Sequence, residues 1–125
     1  PASKRHEYIR WSEKADRFII ESDYGSEFSV SSQPMETLFA LSHQDRVIYL
    51  NTFSKTISPS MRAGYMVLPR RLVTLFQQKL GFYSCSVPTF EQLVLTELLN
   101  SGDFERHINR ERRARRKALN SSAPH

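Results

Sequence analysis

The residue with the most chemical promise in this chain is Lys55. It lies in Asn51-Thr52-Phe53-Ser54-Lys55-Thr56, just past the apolar run Val47-Ile48-Tyr49-Leu50, and so at the carboxyl end of an expected strand. Open α/β sheets bind their ligands outside such ends. A second loop of the same kind, Ser22-Asp23-Tyr24-Gly25-Ser26-Glu27-Phe28, follows the apolar run Arg17-Phe18-Ile19-Ile20-Glu21. If the two strands are neighbours, a carboxylate, a phenol and a lysine converge. An amine walled by apolar strands is a candidate nucleophile toward carbonyl groups, the aldehyde of pyridoxal phosphate among them. Downstream, the Arg62 guanidinium suits a phosphate, helped by the Thr52 and Ser54 hydroxyls. Taken alone, Lys55 reads more readily as a solvated surface group than as a nucleophile.

The elements that must position these residues follow from periodicity. Residues 4–15 predict an amphipathic helix with Tyr8, Trp11 and Ala15 on one face and Trp11 as its core anchor. Residues 17–21 and 47–50 predict two buried strands, the first of parallel type. Residues 64–68 predict a third, ended by Pro69. The stretch 22–34 is rich in Ser, Gly and Asp and reads as a loop, with one or two helical turns at 36–41. The stripe Leu72, Val73, Phe76, Leu80 predicts a helix closed by Gly81. A second helix follows through Phe90, Leu93, Val94, Leu98 and Leu99, closed near Gly102, and a third, very basic, spans 104–119. This order argues for an α/β domain. Three apolar strands with so few covering helices read as a piece of a larger one.

Composition narrows the class further. The chain has 125 residues, with 39% hydrophobic and 25% charged, which fits one small globular domain. Apolar runs such as 65–68 fall far short of the roughly 20 residues that span a bilayer, and residues 1–15 carry charge throughout, unlike a signal peptide. One cysteine, Cys85, excludes an internal disulfide and a multi-cysteine metal site, which suits a reducing, cytoplasmic setting. Cys85 itself reads as a buried connector thiol. His6, His43, His107 and His125 lack metal-ligand spacing and read as surface residues. Arg70 and Arg71 read as a solvent-facing helix start, Glu91 and Gln92 as first-turn helix residues favoured by the macrodipole. The net charge of +5 is uneven: residues 1–101 hold 11 basic and 10 acidic side chains, residues 102–125 hold 7 and 3. The basic run 106–117 contains no aromatic side chain to stack a base, so a solvated helix face is favoured over a nucleic-acid contact.

The string Thr52-Phe53-Ser54-Lys55-Thr56-Ile57-Ser58-Pro59-Ser60-Met61-Arg62-Ala63-Gly64-Tyr65 closely resembles the cofactor-lysine segment of fold type I, class I/II aminotransferases. The wider pattern resembles the aminotransferase-like domain of MocR-type, GntR-family transcriptional regulators. It includes Phe18-Ile19-Ile20-Glu21-Ser22-Asp23-Tyr24-Gly25-Ser26-Glu27-Phe28, Val87-Pro88-Thr89-Phe90-Glu91-Gln92 and Gly102-Asp103-Phe104-Glu105-Arg106-His107-Ile108. The resemblance implies an α/β, three-layer fragment of the fold type I pyridoxal-phosphate-dependent transferase large domain with following helices. Residues 1–101 would be the C-terminal part of that domain and 102–125 a basic helix leading toward a small domain. It implies pyridoxal 5'-phosphate as cofactor, with Lys55 as the Schiff-base lysine and proton shuttle. Thr52 and Arg62 would hold the phosphate, and Tyr24 the phenolic oxygen.

One position departs from the family pattern. Where the family has Glu-Asp-Asp-Tyr, this chain has Glu21-Ser22-Asp23-Tyr24. The first aspartate is the expected partner of the pyridine nitrogen. Strand alternation sets position 22 on the side of Tyr24 and turns Asp23 away, unless a backbone shift permitted by Gly25 swings Asp23 inward. A carboxylate there makes the cofactor a strong electron sink; Ser22 only hydrogen-bonds, which puts transamination in doubt more than cofactor binding. The resemblance also implies an amino acid or amine ligand, a homodimer in the parent protein, and DNA contact only through a winged helix absent from this chain, with no membrane. Two readings share these motifs: an effector-sensing regulator domain, and a stand-alone aminotransferase acting on amino and 2-oxo acids.

Overall fold

The computed structural model describes residues 2–24 and 36–121. In chain order the elements are α1 (Ala2–Lys14), β1 (Ile19–Ser22), α2 (Leu38–Leu41), β2 (Val47–Thr52), β3 (Gly64–Val67), α3 (Arg70–Leu80), α4 (Thr89–Asn100) and α5 (Asp103–Ser121). They fall into two compact units. One comprises residues 2–24, 36–52 and 64–85; the other comprises 53–63 and 86–121. The predicted loop at 22–34 lies mostly outside the described residues, as do Gly25 and His125.

The first unit is built on a three-stranded sheet in the order β1-β2-β3. β2 is central, its Val47, Ile48 and Tyr49 being branched or aromatic residues that fit a pleated surface. β1 pairs with it in parallel, Glu21 opposite Tyr49 and Ser22 opposite Leu50. β3 pairs antiparallel, Thr52 opposite Gly64. β2 runs two residues beyond the predicted 47–50, because Asn51 and Thr52 pair with Tyr65 and Gly64. α2 is a single turn capped at both levels: the Thr37 hydroxyl accepts from the Ala40 amide at 3.0 Å, and the Glu21 carboxylate accepts from the Leu38 and Phe39 amides at 2.8 and 2.9 Å. These are orphan donors of a helix start, and an anion there is doubly favoured.

The strands are less buried than their apolar sequences predict. Val47 is fully enclosed, but Ile20 is 66% exposed and every residue of β3 is exposed. In α1, Ile9 and Ser12 are the buried residues, with the Ser12 hydroxyl donating to the Ile9 carbonyl at 2.7 Å. Trp11 is therefore not a core anchor: it is half exposed, with the Arg17 guanidinium 4.5 Å above its ring. Nor does Arg71 simply face solvent. Its guanidinium lies 4.6 Å from the Phe18 ring and 3.2 Å from the Asp16 carboxylate, which Arg46 also engages. Those two cations hold the Asp16 carboxyl below the usual carboxylate range, chiefly through their hydrogen bonds.

In the second unit, α4 and α5 pack on each other, contributing Leu95 and Ile108 as buried side chains. Gly102 separates them with φ 76°, a left-handed conformation open to glycine at no steric cost.

Candidate functional site

The carboxyl ends of β1 and β2 lie side by side, as neighbouring parallel strands must. The β1 ladder continues through residue 23, whose amide donates to the Leu50 carbonyl at 2.9 Å. No backbone shift intervenes, so side chains alternate regularly. Asp23 falls on the face of Glu21 and Tyr49, and its carboxylate accepts from the Tyr49 hydroxyl at 2.7 Å. Asn51, two residues on and so on the same face, donates its amide to the Tyr49 oxygen at 3.0 Å. Burial, and then the hydrogen bond to Asp23, push the Tyr49 phenol well above its ordinary range. The phenol is thus a fixed neutral donor between a carboxylate and an amide. Phe39 and Tyr65 flank its ring, at 6.0 and 6.2 Å between centroids.

Ser22 and Tyr24 take the opposite face, with Ile20. All three are exposed, Tyr24 to 61%. Alternation along β2 sets Thr52 on that face as well, since it is one residue beyond Asn51. Asp23 and Tyr24 therefore take opposite faces of the strand, the arrangement that alternation along β1 predicts. Ser22, Tyr24 and Thr52 share a side; Asp23 is held away from it by Tyr49.

Lys55 and Arg62 belong to the segment 53–63 of the second unit. That segment begins with one helical turn, closed by the Ile57 amide donating to the Phe53 carbonyl at 2.9 Å. Its two ends are tied by the Phe53 amide donating to the Ala63 carbonyl at 2.9 Å and by the Ser54 hydroxyl donating to the Met61 carbonyl at 2.8 Å. Ala63 and Thr56 are buried, whereas the Lys55 and Arg62 side chains are exposed. The Ser54 hydroxyl already gives its proton to the backbone. Among the described residues Arg62 forms no ion pair with a carboxylate, so its planar fork suits an incoming anion. By donor chemistry alone, an amine, a phenol, a threonine hydroxyl and a guanidinium suit a phosphorylated pyridine aldehyde, whereas Ser22 in place of a carboxylate does not suit a permanently protonated ring nitrogen.

Two further expectations are corrected. Cys85 is exposed, not a buried connector thiol. His107 is not a surface histidine: it is half buried, and its Nε2 lies 2.6 Å from the Thr56 carbonyl oxygen. Sequence reasoning also passed over Tyr49, although parallel pairing and a period of two already place positions 23, 49 and 51 on one face. Among the described residues no group of acidic, histidine or cysteine side chains could hold a metal ion, and no helix is long and apolar enough to cross a membrane.

Comparison with known proteins bears on family and fold. No protein-family model matches the chain. It is 38% identical over 115 residues to the uncharacterized HTH-type transcriptional regulator YdeL of Bacillus subtilis, covering 92% of this chain and 25% of that protein. It is 34% identical over 101 residues to the probable rhizopine catabolism regulatory protein MocR of Rhizobium meliloti, covering 81% of this chain and 20% of that one. Among solved structures, kynurenine aminotransferase of Pyrococcus horikoshii superposes with a TM-score of 0.77 at 29% identity, over 89% of this chain and 28% of the enzyme. The α-aminoadipate aminotransferase LysN of Thermus thermophilus, complexed with N-(5'-phosphopyridoxyl)-L-leucine, gives 0.75 at 29% identity, over 99% of this chain and 34% of its own. The fold is thus a mixed α/β part of the fold type I, pyridoxal-phosphate-dependent aminotransferase fold. Within that class the chain is most like the aminotransferase-like domain of MocR-type, GntR-family transcriptional regulators. It spans about a quarter of the length of the curated relatives it matches.

Proposed function

We propose that this chain is part of a pyridoxal-5'-phosphate-binding, aminotransferase-like domain that senses an amino acid or amine for a MocR-type regulator. The observation that carries the reading is the pairing of a complete cofactor-lysine segment, 52–65, with Ser22 at the position where a carboxylate would face the ring nitrogen. In this reading Lys55 holds the cofactor aldehyde covalently. Thr52 and Arg62 bind its phosphate, and Tyr24 donates to its phenolic oxygen. Ser22 meets the ring nitrogen with a hydrogen bond only. Asp23, engaged by Tyr49 on the other face, does not replace the missing carboxylate.

When bound, the cofactor supplies an electron sink for cleavage at the amino-bearing carbon, and its strength depends on a protonated ring nitrogen. A serine cannot hold that proton. Binding of an amino compound survives this change and turnover is weakened, which favours sensing over the stand-alone aminotransferase. Residues 1–101 then belong to the large cofactor domain, and 102–125 to the helix leading toward a small domain. The same reading takes the working protein as a cytoplasmic homodimer that contacts DNA through a winged helix outside this sequence.

The test uses the native protein that contains this sequence, saturated with pyridoxal 5'-phosphate. It is expected to show the visible absorbance of a lysine-bound cofactor, lost in Lys55→Ala. Ser22→Asp is expected to raise amino transfer to a 2-oxo acid by about tenfold or more, as supplying a preorganised charge does at other sites. An absorbance band that survives in Lys55→Ala refutes the anchoring role, and an unchanged transfer rate in Ser22→Asp refutes the argument from the ring nitrogen.

A further inference from the structure

The turn that carries Lys55 is short. Residues 53–57 make one hydrogen-bonded turn, and no helix follows to engage its last carbonyls. The Thr56 carbonyl is one of these. Thr56 is only 2% exposed, so solvent has little access to it. A buried carbonyl left without a donor is costly, and here the donor comes from α5: His107 Nε2 lies 2.6 Å from the oxygen. A carbonyl oxygen only accepts, so Nε2 carries the proton.

A second contact comes from the same face of α5. Phe104, three residues before His107, meets Phe53 edge-on, with ring centroids 5.9 Å apart and planes at 82°. The two contacts bracket Lys55, one two residues before it and the other one residue after. The backbone on both sides is fixed to α5 while the lysine side chain is exposed.

We infer that His107 is a positioning residue for Lys55: its Nε2–H anchors the Thr56 carbonyl and so fixes the turn from which the amine reaches a bound aldehyde. The inference rests on the reading of Lys55 as the cofactor amine. Loss of the ring releases the turn. Phe104 holds one end by apolar contact; His107 holds the other by the only kind of group a carbonyl can use.

The experiment compares the native protein that contains this sequence with its His107→Ala and His107→Gln variants. Two readouts are taken: amide hydrogen exchange over residues 53–63, and reductive trapping of pyridoxal 5'-phosphate by borohydride, with the label mapped among Lys4, Lys14, Lys55, Lys79 and Lys117. In His107→Ala the Ile57 amide is expected to exchange about tenfold faster or more, as a locally opened turn does, with α4 unchanged. The share of label on Lys55 falls with it. Glutamine, which offers an amide N–H, restores both in part. Exchange at 53–57 that matches the parent in His107→Ala overturns the anchor. Faster exchange with an unchanged Lys55 share reduces His107 to a structural contact and overturns the positioning role. A parent chain whose label is spread evenly over the five lysines defeats instead the reading of Lys55 as the cofactor amine, and the exchange result then stands apart from it.

Discussion

Asp23 shows how one hydroxyl can decide what a carboxylate is for. Its oxygen accepts from Tyr49 at 2.7 Å, and Tyr49 in turn accepts from Asn51. Tyr49→Phe removes one hydrogen bond to the half-buried carboxylate, so it is expected to destabilise the chain by about 1–2 kcal/mol near neutral pH. The pH dependence has a definite sign. The phenol titrates near 10.0 when unfolded, and burial together with Asp23 raises it in the folded chain. Below that unfolded value both states hold the proton and the contribution is whole. As pH climbs above it, the unfolded chain ionises first and stability falls until the folded phenol ionises too. Urea unfolding at about pH 7 and about pH 11 should therefore show the gap between parent and Tyr49→Phe narrowing on the alkaline side. A gap of the same size at both values removes Tyr49 from this role.

Among the elements, whatever depends on local period was legible and whatever depends on partners was not. The stripe Leu72, Val73, Phe76, Leu80 gave α3, and the run Val47-Ile48-Tyr49-Leu50 gave the core of β2. The ends of β2 were missed because Asn51 and Thr52 are strand residues by virtue of β3 alone. Ser22 and Tyr24 share a face by the strand's own period, so that part of the site could be read directly. The Asp23–Tyr49 contact needed the β1–β2 register, and the His107–Thr56 contact spans 51 residues, beyond any local signal. Trp11 and Cys85 were misplaced for the same reason: composition states a tendency to be buried, and tertiary neighbours decide it.

Gly102 follows the Ser101 cap of α4 and directly precedes α5. Its φ of 76° is left-handed, where a Cβ is penalised. The nearest atom to an added Cβ is the Arg106 side chain at 3.4 Å, ordinary contact, so backbone conformation and not crowding sets the cost. Gly102→Ala is expected to lower stability by about 1–2 kcal/mol, read as a drop in the urea midpoint at unchanged slope. Asn, which tolerates this region better, should lose less. Equal stability of the alanine variant contradicts a left-handed residue at the junction.

For the molecule as a whole, the balance of buried and exposed apolar side chains is the governing fact. Among the described residues the buried hydrophobic side chains are Ile9, Val47, Ala63, Leu95 and Ile108. Against them stand Phe82 at 74%, Phe90 at 76%, Tyr83, Leu93 and Ile20, all well exposed. Full burial of a large apolar side chain is worth about 1.5–3 kcal/mol, so these groups forgo much of the stabilisation their chemistry offers. A chain in this state gains by associating, and exposed apolar area of this kind marks contact surfaces or aggregation sites. The 125-residue chain is expected to sediment as a concentration-dependent mixture of monomer and larger species. Phe90 and Leu93 sit three apart on α4 and face the same way. Replacing both by serine should shift the mixture toward monomer while leaving the helical signal intact, because neither side chain is part of the buried set. A parent chain that stays monomeric across a hundredfold range of concentration would show that these side chains are satisfied without a partner, and the argument from exposure would fall.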